Sequence, residues 1–389
     1  MAPLKKTINL VHITTVPISL FFLSGQVRYM KSRGFNVHAV SSPGEGLTRF
    51  GQEEGIPVHG IPMFREISPF KDLVALAKIF RLFRTIRPDI VHSHTPKGGL
   101  LGMTGSWLAR VPNRFYHIHG LPYMTTTGWK RQILVWSERL SCTLAGQVLC
   151  VSKSIRELAI ADRICPESKI KVLSNGSING VDAENRFNPQ QYLEQKARIR
   201  LRHGIPQEAV VLGFVGRLVL DKGIAELAQA WGVLREEFPN LHLLLVGPSE
   251  STDAAIFALL NGLQRDERVH FTGMLWDTAE IYAAIDIVIL PTYREGFPVV
   301  PLEAAAMALP VISTKVPGCI DAIEDDVTGL LVPVHNVEAL IDAVRTYVRQ
   351  PLLRHQHGQA ARERVLRDFR PGTLWSATYN EYINAMRRV

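Results

Sequence analysis

Short apolar runs, each closed by Gly, Pro, Ser or His, alternate with longer stretches of helical period along the whole chain. Runs of that length with helical segments between them are the pattern of parallel strands covered by helices on both faces. A first series of strands is expected at 8–13, 35–41, 89–93, 115–118, 148–151 and 170–173. A second series is expected at 210–215, 241–246, 269–272, 286–290, 311–314 and 329–332. Between them the segment FNPQQYLEQKARIRLRHGIP replaces strand rhythm with a polar, charged helix and a Gly and Pro stop. The fold class expected is therefore α/β, with two Rossmann-like, doubly wound domains in tandem, 1–187 and 188–373. The last helix, 374–389, is expected to pack back on the first domain. A length of 389 residues agrees, since it exceeds what one hydrophobic core usually serves. Open α/β sheets bind ligands beyond the carboxyl ends of their strands, so the expectation is a cleft with one ligand on each wall.

Composition removes several classes of function. Hydrophobic residues make up 46% and charged residues 21%, without low-complexity tracts, as in ordered globular proteins. Lys5 and Lys6 precede an apolar run, but Asn9 and His12 interrupt it and no small-residue cleavage site follows, so it reads as a strand rather than a signal peptide. The longest apolar stretches are broken before the roughly 18 residues that a membrane span requires. Cys142, Cys150, Cys165 and Cys319 show neither a CxxC pair nor metal-ligand spacing, which points to reduced thiols and a cytoplasmic protein.

Net charge is +8 and the isoelectric point about 9.4, which admits nucleic acid, anionic lipid or an acidic small substrate. No helix-turn-helix, zinc-finger or RNP pattern supports a nucleic-acid partner. Cations concentrate between Arg65 and Arg87, where Lys71, Lys78, Arg81, Arg84 and Arg87 alternate with apolar residues in an amphipathic helix. Such a helix is either an ordinary solvated face or a surface for anionic lipid, and Arg28, Lys31 and Arg33 form a second basic stretch.

The most informative segment is ILPTYREGFPVVPLEAAAMALPVI, 289–312. A buried strand ends at Pro291, a loop carries Arg294, Glu295 and Gly296, and a helix opens near Pro298. First-turn amides have no intrahelical partner and favour an anion. Glu303 is the sole charged residue between Phe297 and Ile312, and a buried carboxylate requires donors, for which a ribose diol is a chemical match. A second segment, VVLGFVGRLVLDKGIAEL, places Gly216 and Arg217 at the end of a strand and Lys222 just before a helix. An arginine fork and a lysine point charge suit a departing diphosphate.

On these motifs the chain resembles the family 4 glycosyltransferases of the GT-B fold, over nearly its full length. EGFPVVPLEA matches that family's pair of glutamates with seven residues between them. The resemblance implies that Glu295 contacts the donor hexose and Glu303 the ribose, while Gly216, Arg217 and Lys222 hold the diphosphate. Main-chain groups from Gly296 through Phe297, Pro298 and Val299 to Val300 would complete the contacts. In RFYHIHGLP, His119 resembles the residue that lines the transfer site. His94 and Lys97, in PDIVHSHTPKGGLLG, resemble a subgroup motif facing acceptor or donor. Many family members carry a Gly-Gly loop after the first strand; here Thr14 to Ser19 replaces it, with Thr15 and Ser19 on the substrate side.

This departure resembles bacterial transferases that extend lipid-linked saccharides. The implied reaction moves a hexose or N-acetylhexosamine, with retention, from a nucleotide sugar, expected to be a UDP-sugar, to a polyprenyl-diphosphate-linked saccharide. The enzyme would sit peripherally on the cytoplasmic face of an anionic membrane. Glu324, Asp325 and Asp326 form the one tight acidic cluster, in an apparent surface turn, and no DxD motif ends a strand. No cofactor and no metal are therefore expected, and Arg217, Lys222 and amides would carry the charge. Two other readings remain: an epimerase or hydrolase of nucleotide sugars on a similar scaffold, and a non-catalytic nucleotide-sugar-binding module.

Overall fold

The computed structural model describes residues 7–64, 66–249 and 254–387. Lys5, Lys6, Arg65 and the last two positions of the expected final helix, 388 and 389, lie outside these. The chain divides into two compact units, Met1–Asn179 with Pro371–Val389, and Gly180–Arg370.

The first unit holds β1 (Ile8–Ile13), β2 (Phe35–Ser41), β3 (Val58–Gly60), β4 (Ile90–His94), β5 (Asn113–Ile118), β6 (Gln147–Cys150) and β7 (Ile170–Val172). They form one sheet in the order β3-β2-β1-β4-β5-β6-β7. The second unit holds β8 (Val210–Val215), β9 (Leu241–Val246), β10 (Val269–Gly273), β11 (Ile287–Leu290), β12 (Val311–Thr314) and β13 (Gly329–Val332), in the order β10-β9-β8-β11-β12-β13. Every pairing is parallel. Each unit is thus doubly wound, with the direction of strand addition reversing at β1/β4 and at β8/β11. Among the described strands, only β3 escaped the sequence pattern; it is three residues long, at the sheet edge, in the Pro-flanked run IPVHGIP.

The division falls at Asn179/Gly180, eight residues before the expected 187. Residues 180–187 bond to the second unit: the Val181 amide donates to the Phe369 carbonyl (3.0 Å), and Arg362 donates to the carbonyls of Ala183 (3.1 Å) and Phe187 (3.2 Å). The polar segment after them has a purpose that its charge hides. Arg200 is buried, donates to the carbonyls of Gln207, Ala209 and Ala284, and pairs with Asp286 at 2.7 Å. It fastens the segment to the amino ends of β8 and β11.

The final helix, Pro371–Met386, returns to the first unit. Trp375 donates to Asn179 (2.6 Å), Glu381 pairs with Lys171 (3.2 Å), and the Tyr382 ring packs edge-on against Phe115 and His92.

Helix Pro69–Ile86 buries Ala75, Ile79 and Phe83 along one stripe and exposes Lys71, Lys78, Arg81 and Arg84. Phe70, Leu73 and Val74 are exposed beside them. The second basic stretch is instead occupied by the protein. Lys31 donates to the Gly55 and Glu54 carbonyls (2.5 and 3.3 Å), Arg28 lies 3.5 Å from Glu54, and Arg33 covers the Tyr29 ring.

Close helix-on-sheet packing requires glycine at Gly102, in helix Pro96–Leu108. A β-carbon there would lie 2.2 Å from Ser93 Oγ and 2.6 Å from Ile13 Cγ2. At Gly232, inside helix Ile224–Glu237, an added β-carbon meets nothing within 4 Å. Gly102→Ala is expected to destabilise the protein by about 1–3 kcal/mol through overpacking. Gly232→Ala is expected to stabilise it by roughly 0.5–1 kcal/mol through helix propensity. Thermal unfolding followed by circular dichroism checks both signs, and equal melting temperatures for the two variants would contradict this packing.

Candidate active site

In the second unit the expected donor residues gather at the carboxyl ends of two neighbouring strands, β8 and β11. Beyond β8, the Gly216 amide donates to Val246 (2.9 Å) and the Leu218 amide to Pro248 (2.9 Å), which fixes the half-buried Arg217 between two anchored residues. A single 3-10 turn, Leu220–Lys222, follows, and Gly223 (φ 75°) then opens helix Ile224–Glu237. A β-carbon on Gly223 would lie 2.0 Å from the Pro291 carbonyl oxygen, so glycine is required where the loop after β11 crosses the turn after β8.

The loop is held there by several bonds. The Tyr293 amide and the Thr292 hydroxyl both donate to the Asp221 carbonyl (2.9 and 3.1 Å), and Arg294 pairs with the Asp221 carboxylate (3.2 Å). The Tyr293 hydroxyl reaches Glu226 at 2.7 Å. Lys222 Nζ forms a tight ion pair with Glu295 Oε1, both side chains being mostly buried. Two residues taken separately from distant motifs are therefore in contact.

Gly296, Phe297 and Pro298 are buried, with Phe297 against Phe369. Pro298 is extended and precedes helix Val299–Ala306, which has no side-chain cap. Pro301 lacks an N–H and Pro298 lies at the cap, so the first-turn donors are the amides of Val299 and Val300. Pro298 itself offers geometry and no hydrogen bond.

One turn into this helix, Glu303 Oε2 accepts from the Tyr282 hydroxyl (2.8 Å) and from the Thr278 hydroxyl (3.3 Å). Burial raises its pKa to about 7, and those two hydrogen bonds only partly oppose the shift. Its other oxygen, Oε1, has no partner among the described residues. Tyr282 and Thr278 were not foreseen: their spacing carries no signal, and they reach Glu303 only because the segment before β11 folds beside the helix after it. A cavity of about 310 Å³, lined by residues including Tyr192, Lys196, Asp286, Leu309 and Arg354, lies at the opposite, amino-terminal edge of the sheet and contains none of the expected residues.

In the first unit, His94 and His119 are joined directly, Nδ1 to Nε2, at 3.0 Å, and His12 Nδ1 lies 3.0 Å from His94 Nε2. His92 Nδ1 lies 2.5 Å from the Tyr382 hydroxyl. Burial lowers the pKa of His12 and His119 to about 3 and holds His92, His94 and His117 well below the usual imidazole range. All five are neutral near pH 7, so His119 offers hydrogen bonds rather than charge.

Two of the remaining first-unit candidates, Thr15 and Lys97, are occupied locally. The Thr15 hydroxyl accepts from the Gly98 amide (3.0 Å) and meets the Thr95 hydroxyl (2.8 Å), tying the loop after β1 to the start of helix Pro96–Leu108. Lys97 pairs with Asp72 (2.6 Å) and donates to the Glu66 carbonyl (2.7 Å), which fastens helix Pro69–Ile86. Ser19 lies half-buried in the 3-10 helix Pro17–Leu23.

The groups able to hold a metal, among the described residues, are His12, His92 and His94, and His94, His117 and His119. In the acidic cluster, Glu324 pairs with Arg364 (2.9 Å), and Asp325 pairs with Lys315 (3.0 Å) and accepts from the Leu331 amide (2.8 Å).

Comparison with known proteins gives two family matches. The family described as glycosyl transferases group 1 covers residues 195–364, and the glycosyl transferase 4-like domain covers residues 22–176. The capsular polysaccharide biosynthesis glycosyltransferase CapM of Staphylococcus aureus is 32% identical over 97% of this chain and 98% of its own. An Escherichia coli UDP-Gal:alpha-D-GlcNAc-diphosphoundecaprenol alpha-1,3-galactosyltransferase is 24% identical over 87% of each chain. Among solved structures, Anabaena HepE in complex with UDP superimposes with a TM-score of 0.79 at 19% identity, over 97% of this chain and all of that one. With a relative alike from end to end, family matches on both units and two doubly wound sheets, the chain belongs to the family 4 glycosyltransferases of the GT-B fold, enzymes that transfer sugars.

Proposed function

We propose that the protein transfers a hexose or N-acetylhexosamine, with retention, from a UDP-sugar to a hydroxyl of a polyprenyl-diphosphate-linked saccharide. The observation that carries this reading is the convergence of Lys222, Glu295 and an uncapped helix start at the ends of β8 and β11. A cation, a carboxylate and unpaired amides side by side suit a ligand with a diphosphate next to a polyhydroxylated ring. The capsular and undecaprenol-linked activities named for the relatives support the acceptor class, and the UDP complex of HepE supports the base.

In this reading the Lys222–Glu295 pair is the resting state of the donor site. Diphosphate oxygens take over Lys222, and the carboxylate of Glu295 turns to the sugar hydroxyls. Arg217, Lys222 and the amides of Val299 and Val300 then stabilise the charge that grows on the leaving diphosphate. Glu303 Oε1 accepts from the ribose diol. Family resemblance supports a front-face displacement in which the leaving phosphate takes the acceptor proton. Charge stabilisation by these residues replaces a metal ion in the transfer step. Neutral His119 offers hydrogen bonds to a substrate hydroxyl in the first unit, and the exposed basic helix Pro69–Ile86 meets an anionic bilayer that holds the acceptor lipid.

Three measurements test this. Arg217→Ala and Lys222→Ala are each expected to lower turnover by roughly 100-fold or more, without fully additive effects. Parental turnover in both variants would move the diphosphate elsewhere.

Glu303 must be ionised to accept two hydroxyls, and its raised pKa means that it ionises only as pH passes about 7. The diphosphate of a nucleotide sugar is esterified at both ends and does not titrate there. Donor affinity, measured by calorimetry, is therefore expected to rise between pH 6 and 8. Glu303→Gln should bind about tenfold or more weakly at pH 8 and lose that dependence, since a charge-assisted bond contributes about 1.5–3 kcal/mol. The same raised pKa predicts the opposite trend for stability without ligand, because the unfolded carboxyl ionises first and stability falls as pH rises from about 4.5 to 7.

The membrane contact is tested by reversing Lys78, Arg81 and Arg84 to Glu. Each cation near an anionic surface contributes about 1 kcal/mol, so the triple variant should leave anionic vesicles in sedimentation while binding donor normally. Undiminished sedimentation would make this helix an ordinary solvated face.

A further inference from the structure

The most unusual chemistry outside the donor site is a grid of buried imidazoles at the strand reversal of the first unit. His12 on β1 and His92 on β4 are register partners, and His94 lies two residues along β4 on the same face. All three are essentially inaccessible to solvent. Buried polar atoms are nearly always satisfied, yet His12 Nε2 and His92 Nε2 are buried with no hydrogen-bond partner.

We propose that His12, His92 and His94 together hold a zinc-class divalent ion that pins β1 to β4. One nitrogen of each ring lies within 4.8 Å of the others. In tetrahedral zinc, with Zn–N near 2.0–2.1 Å, ligand nitrogens stand about 3.3 Å apart. The separation of 3.0 Å between His12 Nδ1 and His94 Nε2 is close to that edge.

The second nitrogens of His92 and His94 fit the assignment as well, whereas that of His12, Nε2, is left without a partner. A histidine that binds a metal donates its other N–H to a fixed partner, which sets the tautomer and aims the free lone pair. His92 Nδ1 meets the Tyr382 hydroxyl at 2.5 Å, which leaves Nε2, the orphaned atom, for the ion. His94 Nδ1 meets His119 Nε2 at 3.0 Å, which leaves its own Nε2. Imidazole ligands alone, without oxygen donors, select zinc or its neighbours over magnesium or calcium.

The ion is structural, joining the register partners His12 and His92 across β1 and β4. The inference stands whether or not the proposed donor and acceptor are right, because its readout is metal content.

The experiment uses the full chain, freed of any affinity tag, stripped with chelator and titrated with zinc against a chromogenic competitor. One zinc per chain is expected, and cobalt(II) in its place should give the visible absorption of a tetrahedral site. His12→Asn and His92→Asn should each weaken binding by more than about 100-fold, beyond the roughly 10- to 100-fold effect of losing an outer partner. His38→Asn, in a pair with His59 at 3.1 Å outside the cluster, should leave binding unchanged. Circular dichroism establishes that the variants are folded, and the cobalt spectrum of the unsubstituted chain needs no variant at all. Less than one zinc per chain together with no tetrahedral cobalt spectrum would overturn the proposal, leaving a hydrogen-bonded chain of imidazoles. Loss of metal in His117→Asn with retention in His12→Asn and His92→Asn would overturn it equally, by moving the ion to the other three histidines.

Discussion

The candidate site of the second unit depends on one constraint, that β8 and β11 are parallel neighbours although about seventy residues separate them in the chain. Parallel pairing sends both chain exits to the same edge, and reversal of strand order there leaves a gap that no crossover helix fills. Only in that gap can the loop after β11 cross the turn after β8. The lack of a side chain at Gly223 lets the crossing close to contact with the Pro291 carbonyl, and the three bonds to Asp221 hold it. The Lys222–Glu295 pair follows from that crossing, not from any local preference of either residue.

The first unit applies the same constraint to different chemistry. Its reversal, between β1 and β4, is lined by neutral histidines rather than ions. Desolvation decides their state, since no carboxylate contributes to the pKa shifts of His12, His92, His94, His117 or His119. The second unit keeps its charges in pairs at a half-open edge, whereas the first keeps uncharged groups in its interior. A fixed ion pair suits a ligand that brings its own charge. Uncharged imidazoles suit one that brings hydroxyls, or a cation that takes their lone pairs.

Much of the fold was legible because parallel strands buried on both faces produce apolar runs that end abruptly, and most expected strands agree with the observed ones to within two residues. β3 was illegible because three residues carry no period. Glu295, Glu303 and Lys222 could be read from motif and helix-start chemistry, but their mutual arrangement could not. Nothing in the spacing predicts that Lys222 touches Glu295, or that Tyr282 and Thr278 satisfy Glu303, since such contacts are set by which strands become neighbours. Arg200 shows the opposite failure. It lies in a segment whose charge reads as solvated, yet it is buried because four oxygen acceptors converge on its guanidinium. Lys97 and Thr15 were legible as chemistry but not as anchors.

The return of helix Pro371–Met386 to the first unit has a consequence for how the protein comes into being. On a ribosome the first sheet is synthesised complete by Val172, but the helix that covers Phe35, His92 and Phe115 is nearly two hundred residues away. Until it emerges, an apolar and histidine-bearing face of the nascent sheet has no cover, while the second unit, continuous from 180 to 370, can fold on its own. The unit begun first is therefore completed after the second, and translation that stops before Pro371 yields a chain with a folded second unit and an open, aggregation-prone first one.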